Sequence, residues 1–131
     1  MIGVDTNVLI RHLVKDDAVQ TEHARRFFEE RDGEDPAYVS TEVIVELEWV
    51  LTRRYKVPRL VAHGMIRSLL NSRDILVEAA PAVRRALADS EDANAELADA
   101  IIAHAAIDAG CDGIVTFDRR AQRLPGMLPV G

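Results

Sequence analysis

The stretch that decides the fold is Met1-Ile-Gly-Val-Asp-Thr-Asn-Val-Leu-Ile10. Ile2 and Val4 are apolar, the apolar run stops at Asp5, and a second apolar set from Val8 continues at helical spacing. This pattern predicts a short buried strand that delivers Asp5 to its carboxyl end, followed directly by a helix. Ligands of open α/β sheets bind in the crevice outside the carboxyl ends of the strands, so Asp5 is the first candidate functional residue.

Asp5 also has a purely structural interpretation. Asp and Thr are good N-cap residues, so Asp5 or Thr6 can satisfy the free N–H groups at the start of the next helix. This stretch alone does not separate the two interpretations, and the rest of the chain has to decide between them.

The composition is that of one domain with an aliphatic core. The chain has 131 residues, 48% of them hydrophobic, and shows no repeat, low-complexity tract or linker, so a single domain over residues 1–131 is expected. The net charge of −6 argues against non-specific coating of nucleic acid, but it suits a metal site or a basic protein partner. A single cysteine, Cys111, excludes an internal disulfide, and no signal peptide or membrane-spanning apolar run is seen. We therefore expect a cytoplasmic protein without a membrane segment.

Strands and helices are predicted to alternate along the chain. After the first strand, further strands are predicted over residues 37–39, 75–77, 113–117 and 128–130. After the first helix, further helices are predicted over residues 17–30, 43–55, 58–72, 81–88 and 95–109, with an acidic loop over 90–96. This alternation predicts an α/β protein in which helices cover both faces of a parallel sheet.

Four carboxylates stand out by their placement. Asp5 follows the first strand, and Asp118 follows the fourth. Glu46, on the helix after the second strand, and Asp99, on the helix before the fourth, are both embedded in apolar sequence, where a lone charge is costly. Two carboxylates about 4 Å apart repel by roughly 4 kcal/mol at an effective dielectric constant of about 20, so four converging acids need a cation. An all-oxygen set suits Mg²⁺ or Mn²⁺, as one ion or as two ions about 4 Å apart.

The segments that carry these acids resemble the PIN-domain ribonucleases, and among them the VapC-like toxins of bacterial and archaeal toxin–antitoxin pairs. The segments are Asp5-Thr-Asn-Val-Leu-Ile10, Val45-Glu-Leu-Glu-Trp-Val-Leu51, Leu97-Ala-Asp-Ala-Ile-Ile102 and Val115-Thr-Phe-Asp118. Each motif alone is weak, but four of them in this order, in a chain of this size, are specific. The resemblance runs from Met1 to about Asp118, nearly the whole chain.

The resemblance implies a three-layer α/β/α PIN-like domain with a central parallel sheet of four to five strands. It also implies Mg²⁺- or Mn²⁺-dependent endonucleolytic cleavage of RNA, with Asp5, Glu46, Asp99 and Asp118 as the catalytic and metal-binding acids. The implied partners are an RNA substrate, a cognate antitoxin protein and a second copy in a homodimer. In the resembling family, the helical hairpin of residues 43–72 commonly contributes to dimerisation and antitoxin binding.

Further residues have supporting roles in this hypothesis. Asn7 and Thr116 match polar positions that help to order the acidic pocket in the family. Glu96, three residues before Asp99, sits where some relatives carry another acid, so it is a candidate ligand of the metal. Arg119 and Arg120 directly follow Asp118 and are candidate binders of substrate phosphates, although a solvated loop explains them equally well.

Several neighbouring residues are assigned structural roles instead. Glu48 is expected to be a solvated surface charge, and Glu42 to interact with the dipole of its helix. Trp49 is expected to pack in the core or in an interface rather than to stack on a base. His104 is expected to be a packed or half-exposed helix residue.

Two other functional classes remain open. A phosphoryl-transfer protein, receiver-like or phosphatase-like, also places an Asp after a strand, but this chain lacks an early Asp-x-Asp and its two lysines, Lys15 and Lys56, are badly placed. The other class is a non-catalytic acidic interaction module that binds a basic partner. Metal titration separates this module from the nuclease, because the module should show no acid-dependent affinity for Mn²⁺.

Overall fold

The chain alternates strands and helices throughout, as its sequence predicts. The computed structural model describes residues 1–131. The elements are β1 (Ile2–Gly3), α1 (Thr6–Leu13), α2 (Ala18–Glu29), β2 (Ala37–Val39), α3 (Thr41–Trp49), a π-helix (Val50–Arg54), α4 (Arg59–Leu70), β3 (Ile75–Val77), α5 (Ala80–Ala93), α6 (Leu97–Asp108), β4 (Ile114–Thr116), a 3₁₀-helix (Ala121–Arg123) and β5 (Met127–Pro129). The α/β fold class is confirmed, and all strand pairings are parallel. The strands form one sheet of three and one of two instead of the single sheet of four to five strands that was expected. None of the helices has both the length and the apolar composition needed to cross a membrane.

The first of two compact units, Met1–Glu78, contains the three-stranded sheet in the order β1-β2-β3. Ala37 of β2 pairs with Ile2 on one side and with Ile75 on the other, and both pairings are parallel. Helices α1 and α2 connect the first two strands, while α3, the π-helix and α4 connect the next two. Because the strands are parallel, their carboxyl ends lie at one edge of the sheet, and Asp5 lies just beyond β1 at that edge.

The helices that begin near this edge are capped by local side chains. Asp17 caps α2 and Ser40 caps α3, each by accepting a backbone N–H of the first turn. Glu78, just beyond β3, accepts the backbone N–H of Thr41 at 2.9 Å. The hydrogen bonds from Thr41 hold the pKa of Glu78 below its usual value. The N-terminus of α3 is therefore fixed both by its own cap and by the strand that follows it in the sheet.

The core of the first unit is aliphatic. Its largest fully buried apolar side chains are Leu9, Val39, Ile44, Leu47, Leu51 and Ile66. Ile44, Leu47 and Leu51 recur at spacings of three and four, so one face of the helical segment turns inward. Burial of each such side chain stabilises the fold by about 1.5–3 kcal/mol.

The second unit, Ala79–Gly131, consists of two helices and a two-stranded parallel pair. Helices α5 and α6 are joined by a hydrogen bond between His104 Nε2 and the carboxylate of Asp89, 2.7 Å apart. His104 is half-buried on α6, which confirms the role expected for it. In the strand pair, Ile114 of β4 lies opposite Met127 of β5.

The expected acidic loop over residues 90–96 is mostly helix, so that prediction was wrong. Helix α5 continues through Ala93, because Ser90 is fully buried and its hydroxyl donates to the Ala95 carbonyl at 2.6 Å. The helix ends at Asn94, whose φ of 50° is left-handed, a conformation that Asn adopts more readily than most residues. Polar composition here reflects the outer face of a helix and not a loop.

The fourth strand is shorter and more exposed than predicted. It covers Ile114–Thr116 instead of residues 113–117, and the prediction that it is buried was wrong. Val115 is 65% exposed and Phe117 85% exposed. An apolar run is necessary for a buried strand but does not by itself provide the layer that covers it.

Candidate active site

Asp5 lies between the end of β1 and the start of α1. It is the N-cap of α1, and its Oδ1 accepts the backbone N–H of Thr6 at 2.7 Å. The structural interpretation of Asp5 is therefore correct. The side chain nevertheless remains exposed, so capping does not close the carboxylate to a ligand.

A buried hydroxyl lies next to this carboxylate. Thr6 is only 4% exposed, and its Oγ1 has no hydrogen-bond partner. A buried polar group without a partner costs free energy, so it points to a ligand or water in the cavity that it lines. Thr6 was not singled out in the sequence, where it has the appearance of an ordinary capping residue.

Glu46 lines the same cleft as Asp5. The cleft has a volume of about 380 Å³, and Thr6, Asn7 and Arg11 are among the residues that line it. Asp5 and Asn7 flank the start of α1, while Glu46 projects from α3. Two of the predicted acids therefore open into one cleft of the first unit, together with Asn7.

The environment of Glu46 differs from the prediction. Glu46 is exposed, so the prediction that it lies in apolar surroundings was wrong. Glu48 is buried, at 9% exposure, so the prediction that it is a solvated surface charge was also wrong. Glu48 Oε1 lies 3.7 Å from Nε2 of the fully buried His63. Glu48 follows Ile44 by four residues, which places it on the inward face of α3. That spacing was visible in the sequence and could have identified the buried acid.

Arg11 is a further polar residue of this cleft. Its Nη1 donates to Asp16 at 2.6 Å and to the hydroxyl of Tyr55 at 3.2 Å, and Tyr55 in turn donates to Asp16 at 3.0 Å. The sequence contained one signal for it, because Arg11 follows Asn7 by four residues and so shares its helix face. Arg11 is therefore held beside Asn7 by partners from two other segments of the chain.

Three acids interact electrostatically in the second unit. Asp99 is half-buried in the first turn of α6. Its burial, and then the negative charges of Asp118 and Glu96, raise the pKa of Asp99 above its usual value, while Arg120 opposes the shift. A helix N-terminus normally stabilises a carboxylate, so burial and like charges outweigh the dipole here. A cation at Asp99 would relieve both effects.

Asp118 is fixed by a turn that directly follows β4. Its Oδ1 accepts the backbone N–H of Arg120 at 2.9 Å and that of Ala121 at 3.2 Å. The backbone N–H of Asp118 donates to the hydroxyl of Thr116 at 3.1 Å. Thr116 therefore contacts the residue that it was predicted to order, and Asp118 itself stays exposed.

Arg120 connects the two segments that carry these acids. Its Nη1 donates to Glu96 at 2.9 Å, and its Nε donates to the carbonyl of Asn94 at 2.8 Å. Arg120 thus already binds an acid of its own unit, whereas Arg119 is exposed and makes no ion pair. Binding of substrate phosphates by either arginine stays a prediction, and so does metal binding by Glu96.

The chemistry of the donors fits a hard divalent cation. The predicted ligands Asp5, Glu46, Asp99 and Asp118 offer only oxygen atoms, and Asp99 is destabilised as an anion when no cation is bound. The structure brings no three Asp, Glu, His or Cys side chains into an arrangement that could hold a metal ion. Metal binding by the four acids therefore stays a prediction.

One known protein family matches this chain over nearly its whole length. The family model of the PIN domain matches residues 2–127, and the chain therefore belongs to the PIN-domain family.

A curated relative is described as a VapC ribonuclease of Aquifex aeolicus (strain VF5). It is 29% identical to this chain over 122 residues, which cover 92% of this chain and 90% of the relative. The similarity therefore extends over nearly the full length of both proteins.

Proposed function

We propose that the protein is a metal-dependent endoribonuclease of the VapC type, the toxin component of a type II toxin–antitoxin pair. Its membership of the PIN-domain family and its similarity to a protein described as a VapC ribonuclease support this class. The observation that carries the chemistry is the carboxylate of Asp99, whose pKa is raised first by burial and then by the negative charges of Asp118 and Glu96. Like charges held together in this way are unfavourable unless a cation joins them.

In this proposal, Asp5, Glu46, Asp99 and Asp118 provide the carboxylates that bind Mg²⁺ or Mn²⁺, as one ion or two. The bound metal would activate the attacking water and neutralise the negative charge that develops on the phosphate. Backbone N–H groups orient two of the acids before any ligand binds, at Asp5 through Thr6 and at Asp118 through its turn. The water oxygen would form a bond to phosphorus in line with the P–O bond that breaks, and the leaving nucleotide oxygen would take up a proton that the water releases.

The proposal also includes the setting in which the protein acts. We expect a cytoplasmic protein that forms a homodimer and is held inactive by a cognate antitoxin. Large apolar side chains on α4 support a protein-binding role for this helix, because Leu60 is 69% exposed and Val61 is 50% exposed. Replacement of both by Ser should weaken antitoxin binding or dimerisation, measured by sedimentation, while cleavage chemistry remains intact.

The test of the enzyme is a cleavage assay with matched variants on one helix. The purified protein without antitoxin is incubated with a panel of structured RNAs in Mg²⁺, in Mn²⁺ and in EDTA. Glu46→Gln should lower the cleavage rate by on the order of 100-fold, whereas Glu42→Gln, one turn earlier on α3, should leave it unchanged. The proposal fails if no RNA is cut in a metal-dependent way, or if the two variants lose activity equally.

A second assay separates the toxin from a non-catalytic acidic module. Expression of the wild-type protein without antitoxin should arrest growth, and expression of Asp118→Asn at the same level should not. A module that merely binds a basic partner would show the same effect in both forms. Equal arrest by the two proteins would therefore contradict a nuclease toxin.

A further inference from the structure

The cleft beside Asp5 and Glu46 contains two residues that the proposed chemistry does not use. Trp49 and Arg54 line it together with the two acids, and the cleft has a volume of about 380 Å³. Both residues are exposed. An aromatic surface, a cation and two carboxylates therefore face the same space within the first unit.

Trp49 does not pack in the core, so the expectation of core packing was wrong. Its side chain is 52% exposed, although it is the largest apolar side chain in the protein. Trp49 follows Glu46 by three residues on α3, and this spacing places both on one helix face. The exposed indole therefore stands beside a proposed catalytic acid, where a ligand can reach both.

Arg54 reaches the cleft because the helix changes register. In an unbroken α-helix, residue 53 would follow Glu46 by seven positions and share its face. Val50–Arg54 is instead a π-helix, in which the N–H of Tyr55 donates to the carbonyl of Val50 at 3.2 Å. The wider π turn contains one more residue than an α turn, so the position on the same helix face as Glu46 is residue 54 instead of residue 53. Arg54 therefore lines the cleft in place of Arg53. Such π turns occur frequently at functional sites.

Arg54 is also the cation of this cleft that can accept an external anion. The other arginine, Arg11, is bound to Asp16 and Tyr55. Arg54 makes no side-chain hydrogen bond or ion pair. A guanidinium without a partner beside an exposed indole matches the two parts of a nucleotide, namely an anionic phosphate and a flat base.

We propose that this cleft binds one unpaired nucleotide of the RNA, with its base stacked on Trp49 and its phosphate bound by Arg54. The choice of RNA rests on the proposed function. An apolar protein segment docked here would bury Asp5, Glu46 and Arg54, and their charges would lose solvent without gaining partners. A nucleotide instead provides the π surface and the anion that Trp49 and Arg54 lack. These two residues then position the strand beside the acids and make the enzyme select unpaired RNA.

The test uses the fluorescence of Trp49, the only tryptophan in the chain. The wild-type protein in EDTA, at low salt, is titrated with a short single-stranded oligoribonucleotide and with the same sequence in a duplex. Stacking of a base should quench the emission saturably with the single strand and only weakly with the duplex. Unchanged emission with the single strand would overturn the inference.

Paired variants assign the two contacts. Binding of end-labelled RNA is followed by anisotropy for Arg54→Gln and for the matched control Arg53→Gln. Arg54→Gln should weaken binding by roughly 5- to 10-fold and reduce the salt slope by about 0.7, whereas Arg53→Gln should change neither. Trp49→Ala should weaken binding by about 10-fold, and Trp49→Phe should restore most of it because a stacking ring is retained. Equal effects at positions 53 and 54, or no rescue by Phe, would contradict the assignment.

The same measurements separate this inference from other outcomes. Emission that changes on dilution of the protein but not with RNA would assign Trp49 to contact with a second copy and overturn the inference. Metal-dependent cleavage of RNA with unchanged emission would overturn the inference alone and leave the proposed function standing. Quenching by a protein that cuts no RNA would leave the nucleotide site standing while the proposed function fails.

Discussion

In the first unit, two carboxylates accept hydrogen bonds from backbone N–H groups. Asp5 accepts the N–H of Thr6, and Glu78 accepts the N–H of Thr41. In the second unit, Asp99 is half-buried near two other acids, and its pKa is raised while the pKa of Glu78 is lowered. A carboxylate is thus stabilised as an anion at Glu78 and destabilised as an anion at Asp99. Asp5 therefore contributes to the fold as the N-cap of α1, whereas the ionised form of Asp99 reduces the stability of the fold.

The largest expected effect is the response to metal. Mn²⁺ should raise the Tm of the wild-type protein, because a ligand present at 100 times its Kd stabilises by about 2.7 kcal/mol. Asp99→Asn should abolish most of this shift, and Asp92→Asn, an exposed control on α5, should retain it. Differential scanning calorimetry with and without Mn²⁺ measures the shift. Identical responses of the two variants would mean that the raised pKa of Asp99 has no connection with metal binding.

The next effect concerns the capping role of Asp5. In metal-free buffer, Asp5→Ala should destabilise the protein by about 1 kcal/mol, a few degrees in Tm, because α1 loses its N-cap. Asp5→Asn keeps an acceptor oxygen for the N–H of Thr6 and should remain close to the wild type, although it loses cleavage activity. Chemical denaturation of the three proteins measures the difference. A stable Asp5→Ala variant would show that the hydrogen bond to Thr6 contributes little.

A smaller effect is expected at Asp99, where substitution should stabilise the metal-free protein instead of destabilising it. Since its pKa is raised in the folded protein, its ionisation reduces stability as the pH rises from the unfolded value near 3.8 through the folded value. Asp99→Asn should therefore raise the Tm of the metal-free protein at neutral pH, by roughly 1–3 °C for a partly exposed group. The gain should disappear as the pH falls well below the unfolded pKa of 3.8, where Asp99 is protonated in both states. A gain independent of pH would point to packing and not to charge.

The smallest effect is expected at Arg120, which is exposed and binds Glu96. Arg120→Gln alone should change the Tm by less than about 2 °C. Because Arg120 lowers the pKa of Asp99, its removal should enlarge the gain from Asp99→Asn. A double-mutant cycle with Arg119→Gln as the control measures this coupling. Additive effects would show that Arg120 acts on Glu96 alone.

The architecture was largely predictable from the sequence, because it depends on local periodicity. The strands at Ala37–Val39 and Ile75–Val77 have the predicted limits, and α2 begins directly after its cap Asp17. The helix boundaries after residue 80 were less predictable. Ser90 stays helical because its hydroxyl finds an acceptor at Ala95, and that partner is known only once the chain is folded.

Only part of the candidate site can be compared with its prediction, because metal binding by Asp5, Glu46, Asp99 and Asp118 stays a prediction. The sequence identified Asp5 and Glu46, and the structure places both in one cleft. It did not identify Glu48 as the buried acid, although the spacing from Ile44 contained the signal. The apolar neighbours of Asp99 in the sequence predicted that its carboxylate would be costly to bury as an anion, and its pKa, raised chiefly by burial, agrees with that reasoning.

The sequence by itself determined the order of the elements, their parallel pairing and the positions of the acids relative to the strands, because these follow from side-chain periods along the chain. Only the tertiary structure decided that Arg54 and not Arg53 lines the cleft, that Arg120 binds Glu96, and that Trp49 is exposed. These outcomes depend on a change of helix register and on partners distant in the chain. The register change and the distant partners both arise from packing between elements, so neither produces a periodic pattern in the sequence.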